Sequence, residues 1–200
     1  MGKTTVLAES NDQLRVTAPT KLAHIVFRTS RYEAMVRFYT LLLGAHVTFA
    51  NEVLTFLTYD EEHHRIAVLN VPDLAQQIPA AAGVHHIAFT YRGLNELLSV
   101  YESLHGIGID PVWCTNHGPT TSMYYVDPDG NQTELQVDNF DTVEEETAFF
   151  HSPEFAHNPI GVDFDPAELL RRLRAGEPED KLKKRPEIGA RQFDETVRIR

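Results

Sequence analysis

The sequence predicts an α+β fold in which two βαβββ units pair into a half-closed, barrel-like cup, followed by a C-terminal arm. Three observations carry this expectation. The chain matches itself at an offset of 62 residues. Each copy runs from a short β-rich apolar stretch into a helical pattern and then back into strands, and each helix stops at a glycine. Placing AHIVFRTSRYEAMVRFYTLLLG (Ala23 to Gly44) over HHIAFTYRGLNELLSVYESLHG (His85 to Gly106) superposes His24 on His86, Ile25 on Ile87, Phe27 on Phe89, Tyr39 on Tyr101 and Gly44 on Gly106, without a gap. Similarity at a fixed period marks a repeated structural unit. A unit of about fifty residues is too small for a core of its own, so two such units bury a face against each other.

Unit one is expected over about residues 21–72. It opens on the strand in LAHIVF, continues into a helix with Met35, Phe38 and Leu42 on one face, and stops at Gly44. AHVTFA, VLTFLTYD and HHRIAVLNV then read as three strands. DLAQQIPAAAG is a connection. Unit two, about residues 83–137, repeats the order: a strand in VHHIAF, a helix bearing Leu94, Leu97, Leu98 and Tyr101, a stop at Gly106, and strands in IDPVWC, TSMYYVD and NQTELQV. The last strand follows the turn signal Asp127-Pro128-Asp129-Gly130.

Residues 1–137 are thus expected to form the paired domain, loose before Leu14, and residues 138–200 an arm. The arm opens on the acidic and aromatic DNFDTVEEETAFF and carries one expected helix, about 166–175, with Asp165 as N-cap, Pro166 in the first turn and Gly176 at the end. The remaining EPEDKLKKRPEIGARQFDETVRIR lacks a sustained apolar face and is expected to be mobile or partner-dependent, and dispensable for soluble, metal-loaded protein.

Composition excludes some partners. A net charge of -11 repels nucleic acid and anionic membrane, and ten of the eighteen Lys and Arg lie after Pro166, which leaves the first 166 residues more acidic still. One cysteine, Cys114, permits no intrachain disulfide and fits a reducing compartment. The start, MGKTTVLAES, has no apolar run of the signal-peptide kind, no window approaches a membrane span, and a cytoplasmic protein is expected.

The chemistry concentrates at the repeat. His24 and His86 occupy equivalent places at the openings of the two units, and core packing has no need of a histidine twice. Glu134 lies in the last strand of unit two, where strand parity turns it toward the cup. Two histidines and one carboxylate with open positions are the donor set of non-haem Fe(II) oxygenases, with Mn or Zn as other occupants. Laying TYDEEHHRIAVL over YVDPDGNQTELQ sets Ala67 on Glu134, so unit one supplies no second carboxylate.

These residues resemble the vicinal oxygen chelate superfamily and, within it, the type I extradiol catechol dioxygenases of the biphenyl-2,3-diol 1,2-dioxygenase kind, in their one-domain form. The resemblance spans about residues 21–137. LAHIVF and VHHIAF resemble the two metal-histidine strands, implying His24 and His86 as ligands, and DPDGNQTELQ resembles the closing strand, implying Glu134 as the third. EEHHRIAVL resembles the segment whose second histidine is the acid–base residue, implying His64, and NHGPTTSMYY implies His117 and Tyr124 beside the metal. The interval from His117 to Tyr124 is two residues shorter than the family's, and the connection from His64 to His86 is longer. Simple alternation from Ala67 would point His64 away from the cup, so the resemblance requires a bend or bulge near DEEHH that brings His64 over the metal. His63 and His85 are read as neighbours without a role, and Phe149, Phe150 and Phe155 as packing.

The resemblance implies an extradiol dioxygenase that opens a catechol-type diol with O2 at a mononuclear Fe(II), Mn(II) being the second choice, in a homo-oligomer. The alternatives are a glyoxalase-like or epimerase-like metal enzyme, which uses a fourth protein ligand where Ala67 stands, and a metal-free binding protein of the bleomycin-resistance type, which leaves the joint presence of His24, His86 and Glu134 unexplained.

Overall fold

Both units form the expected strand and helix pattern in the computed structural model, which describes residues 16–78 and 81–192. Unit one comprises β1 (Ile25–Thr29), α1 (Tyr32–Leu42), β2 (His46–Ala50), β3 (Leu54–Thr58) and β4 (Ile66–Asn70). Unit two comprises β5 (His86–Thr90), α2 (Leu94–His105), β6 (Trp113–Asn116), β7 (Thr120–Val126) and β8 (Gln132–Asp138). Two mixed sheets result, ordered β1-β4-β3-β2 and β5-β8-β7-β6-β9, where β9 (Val162–Asp163) comes from the C-terminal arm. They are not joined into a closed barrel. In each unit the first and last strands run parallel and the others antiparallel.

The registers show how closely the halves correspond. Val26 pairs with Ala67 in unit one, and its counterpart Ala88 pairs with Glu134 in unit two. Continuing across the sheets, Ala67 meets Phe56 and then Phe49, while Glu134 meets Tyr124 and then Trp113. Each row lies on the sheet face away from the helices. The alternating positions face inward: Phe27, Leu57, Ile66 and Val68 pack on Met35 and Tyr39 of α1, and Cys114, Met123, Tyr125 and Leu135 pack on Leu94, Leu97 and Leu98 of α2. Fully burying one such aliphatic side chain stabilises the fold by roughly 1.5–3 kcal/mol.

The two cores merge. Leu42 of α1 belongs to the core of unit two, and Phe38, Leu43 and Phe89 pack against both. One polar tie reinforces this seam: the buried Tyr39 hydroxyl donates to Asp127 Oδ2 at 3.0 Å. Asp127 also accepts from the backbone N–H of Asp129 at 2.9 Å and of Asn131 at 2.8 Å, and Gly130 turns at φ 92°. The DPDG turn that launches β8 is therefore pinned to the helix of the other unit.

The arm holds more structure than the single helix expected of it. Besides α5 (Pro166–Arg174), capped by the Asp165 side chain accepting from Ala167 N–H, it forms α3 (Val143–Phe150), α4 (Pro153–His157) and α6 (Glu179–Lys183). The expectation of a mobile stretch after Gly176 is corrected for residues 177–192; the stretch before Leu14 and the last eight residues lie outside the described ones. Leu169 and Leu182 enter the core of unit two, and Glu179 accepts from Leu94 N–H at 3.1 Å and Asn95 N–H at 3.2 Å, capping a helix whose own N-cap, Gly93, has no side chain. A polar sequence concealed this docking because its apolar content is a few isolated residues and its charged anchors, Glu179 and Arg185, bond backbone groups of distant segments. Among the described residues no helix is long and apolar enough to cross a membrane.

Candidate active site

Strand parity fixes which aromatic of the Tyr-Tyr pair faces the chemistry. Tyr125 is on the helix side, wholly buried, whereas Tyr124 stands opposite Glu134 in the row Ala88–Glu134–Tyr124–Trp113. Glu134, 4% exposed, has Oε2 at 3.0 Å from His86 Nε2 and receives hydrogen bonds from Ser122 and Tyr124. Burial acts to raise its carboxyl, but the hydrogen bonds from His86, Ser122 and Tyr124, with His117 nearby, outweigh it and hold the group below the ordinary carboxylate value. Glu134 is thus an anion at neutral pH, facing an imidazole nitrogen.

His117 lies one residue beyond β6, and its Nε2 is 2.9 Å from the Tyr124 hydroxyl. Its Nδ1 is 2.5 Å from the carbonyl oxygen of Ile160. A carbonyl can only accept, so Nδ1 carries the ring proton and Nε2 of the neutral ring accepts from Tyr124. Burial lowers the pKa of His117 against the opposing pull of Glu134 and favours that neutral form. Tyr124 then has one proton and two acceptors, His117 and Glu134.

The second group forms around His64. Bends at residues 59–63 and 65 separate β3 from β4, so alternation from Ala67 does not govern His64, and the chain bends near DEEHH. Its ring, buried, stacks on Phe56 at 4.2 Å and 13° and lies 4.2 Å from the ring of His24. Phe56 belongs to the helix-free row of unit one, which places His64 on that side. Burial, then His24 and His63, lower its pKa, so it is a neutral base at physiological pH. Arg65 fixes the backbone leading to His24, donating through Nη1 to the carbonyls of Leu22 at 2.7 Å and Ala23 at 3.1 Å while its Nε binds Asp60.

The expected residues therefore fall in two groups: His86, Glu134, Tyr124 and His117 in one, His24 and His64 in the other. Among the described residues no three His, Cys, Asp or Glu side chains stand together at metal-binding spacing. The donors nonetheless suit a divalent first-row ion in kind, two imidazoles and a buried ionised carboxylate, with Ala67, 1% exposed, at the place matching Glu134.

A family model described as the Glyoxalase/Bleomycin resistance protein/Dioxygenase superfamily matches residues 21–135. This chain belongs to that superfamily. Two curated relatives from Rhodococcus globerulus extend the likeness: biphenyl-2,3-diol 1,2-dioxygenase 2 is 50% identical over 168 residues, 84% of this chain and 88% of that one, and biphenyl-2,3-diol 1,2-dioxygenase 3 is 44% identical over 169 residues, 84% and 89%. Solved structures with the superfamily's fold include a glyoxalase/bleomycin resistance protein/dioxygenase from Nocardioides, at TM-score 0.50 and 20% identity over 64% of this chain and 88% of that one. A domain of the same description from Frankia sp. EAN1pec superposes at TM-score 0.51 and 13% identity over 60% of this chain and 99% of its own. An alignment of 168 residues cannot fit within the first 137, so the likeness to the first Rhodococcus enzyme extends at least 31 residues (168 minus 137) into the arm.

Several residues of the site escaped the sequence reading. Trp113 stacks on Tyr124 at 4.9 Å and meets His117 edge-on at 5.5 Å, with its Nε1 donating to Asp163 at 2.9 Å. Its place in the same strand row as Tyr124 was the available signal. His63 and His85, expected to have no role, each place Nδ1 close to Nδ1 of the following histidine, 2.5 Å from His64 and 2.8 Å from His86. The partnership of Ile160 with His117 had no local signal, because the partner atom is a backbone carbonyl.

Proposed function

We propose that this protein is an extradiol ring-cleaving dioxygenase that opens a catechol-type aromatic diol with O2 at a mononuclear Fe(II), with Mn(II) as the less favoured occupant, and that His24, His86 and Glu134 hold the metal. The observation that carries this reading is the buried, ionised Glu134 facing His86 Nε2 at 3.0 Å while its counterpart in the other sheet is Ala67. One carboxylate with two histidines leaves coordination positions for a chelating diol and dioxygen. The names of the relatives at 50% and 44% identity support the same substrate class. A lyase or isomerase of this fold would need a fourth protein ligand at Ala67, which argues against that alternative.

Fe(II), when bound, would supply adjacent sites for the two diol oxygens and one for O2, and would acidify the bound hydroxyl. His64 is assigned as the group that takes a proton from the substrate and returns one later; its lowered pKa keeps it in the base form beforehand. His117 and Tyr124 are assigned as hydrogen-bonding partners of the bound oxygens, the Tyr124 hydroxyl as donor and Nε2 of neutral His117, 2.9 Å from that hydroxyl, as acceptor. Phe56 and Phe49, in the row that carries Ala67, present an apolar surface beside His64 suited to an aromatic ring.

The test is anaerobic reconstitution with Fe(II), followed by oxygen uptake over a panel of catechols. Stoichiometric oxygen consumption with a coloured ring-fission product is expected. No uptake with any diol, together with turnover of a thiohemiacetal or an acyl-CoA, would assign the protein to the lyase or isomerase branch.

A further inference from the structure

We infer that Arg185 and Asn158 are positioning residues for His117, which makes the C-terminal arm a working part of the site. The inference rests on the role given to His117 above. His117 stands where β6 ends, and its ring is fixed from outside the paired units. Its Nδ1 meets the Ile160 carbonyl at 2.5 Å, and that carbonyl is aimed by Asn158. Asn158 is 2% exposed; its Oδ1 accepts from the N–H groups of Ile160 at 3.1 Å and Gly161 at 2.7 Å, and its Nδ2 donates to the Gly161 carbonyl at 3.1 Å. Every polar atom of that side chain is spent on shaping the turn that presents Ile160.

Arg185 ties this turn to the strand. Its Nη1 donates both to the His117 carbonyl at 2.9 Å and to the Asn158 carbonyl at 2.8 Å, its Nη2 donates to the Glu154 carbonyl at 3.2 Å, and the guanidinium lies 5.1 Å from the centroid of Phe149. A planar fork with several donors suits such a bridge between carbonyls. The approach is tight: at Gly161, φ 117°, an added Cβ would run into the Asn116 carbonyl. The consequence is a single tautomer. With the proton held on Nδ1 by Ile160, Nε2 is left with its lone pair toward the Tyr124 hydroxyl; with that carbonyl displaced, the ring is free to exchange tautomers and to turn.

The decisive measurement is made on metal-free protein with ¹⁵N-labelled histidine, with His117→Asn used to assign the ring signal. Wild type is expected to give a single Nδ1–H tautomer for His117, and Arg185→Gln an averaged one. In the Fe(II)-loaded protein, Arg185→Gln should lower kcat about 10- to 100-fold with a smaller change in KM, the scale expected of a misplaced reacting group. Arg185→Lys, which keeps the charge and loses the fork, should be intermediate on both signals. An unchanged tautomer with kcat within about twofold of wild type would overturn the proposal. Should Arg185→Gln not fold, Arg185→Lys is read on the same two signals, and wild-type values for both overturn it equally. Absence of oxygen uptake in wild type would sink the dioxygenase reading alone, since the tautomer signal still decides the positioning.

Discussion

Replacing His64 by Phe should separate proton transfer from metal binding. The ring it replaces stacks on Phe56 and lies tilted against His24, so an aromatic substitute keeps the packing while removing both nitrogens. Iron content is expected to stay near wild type and turnover to fall by roughly 10²- to 10⁴-fold, the usual range for one acid–base group; unchanged turnover would remove His64 from the mechanism. Ala67→Glu makes the converse test. Ala67 is buried between Val26 and Phe56 in the row that matches Glu134, and a carboxylate there should bind metal at least as tightly yet abolish dioxygenase activity by occupying a position needed by diol and O2. Metal analysis and oxygen uptake check the two halves, and retained activity with wild-type catechol affinity would mean that this row does not face the ion. The lone thiol provides a simpler case. Burial, followed by Asp165 and Asp163, pushes the Cys114 thiol up to about 12, so the native protein should resist iodoacetamide at pH 8 and react fully once unfolded. Labelling of the native protein at the rate of a free thiol would contradict that burial.

At the scale of elements, the capping of α2 depends on distant residues. Gly93 can supply no side-chain acceptor, and the carboxylate of Glu179 substitutes for one, 85 residues away in sequence at Leu94 N–H. Glu179→Ala should cost about 0.5–2 kcal/mol, the worth of an N-cap. Thermal unfolding should drop by about 1–8 °C for a domain of this size, and an unchanged midpoint would show that water caps the helix as well. This contact also marks the limit of what the sequence discloses. The repeat, the parity that turns Glu134 and Tyr124 to the helix-free face and the equivalence of Ala67 with Glu134 are periodic features, and periodicity survives in a single sequence. The Ile160 carbonyl behind His117 and the Glu179 cap on α2 are pairwise meetings between distant segments, and such meetings leave no period. His64 falls between: its residue type was legible, while its direction depended on bends that no alternation rule describes.

For the whole molecule, the question is whether the arm can be removed. The superfamily match ends at residue 135, inside β8, and the paired domain that closes with β8 at Asp138 contains both sheets except β9. Its core nevertheless includes Leu169 and Leu182, and the arm supplies the cap on α2 and the backing of His117. Deleting residues 177–200 removes Leu182, 5% exposed, together with Glu179, Arg185 and Arg191. Losing one buried leucine alone costs about 2–5 kcal/mol, and the cap adds about 0.5–2 kcal/mol. A drop in thermal midpoint of about 5–28 °C is therefore expected, at about 2–4 °C per kcal/mol, with Leu182→Ala alone giving a large part of it. Truncated protein that still folds should also show the averaged His117 tautomer, because Arg185 is gone while Ile160 remains. A truncated chain with the wild-type midpoint would mean that residues 177–192 rest on the core without contributing to it, and a wild-type tautomer in the same chain would show that Asn158 shapes the turn unaided.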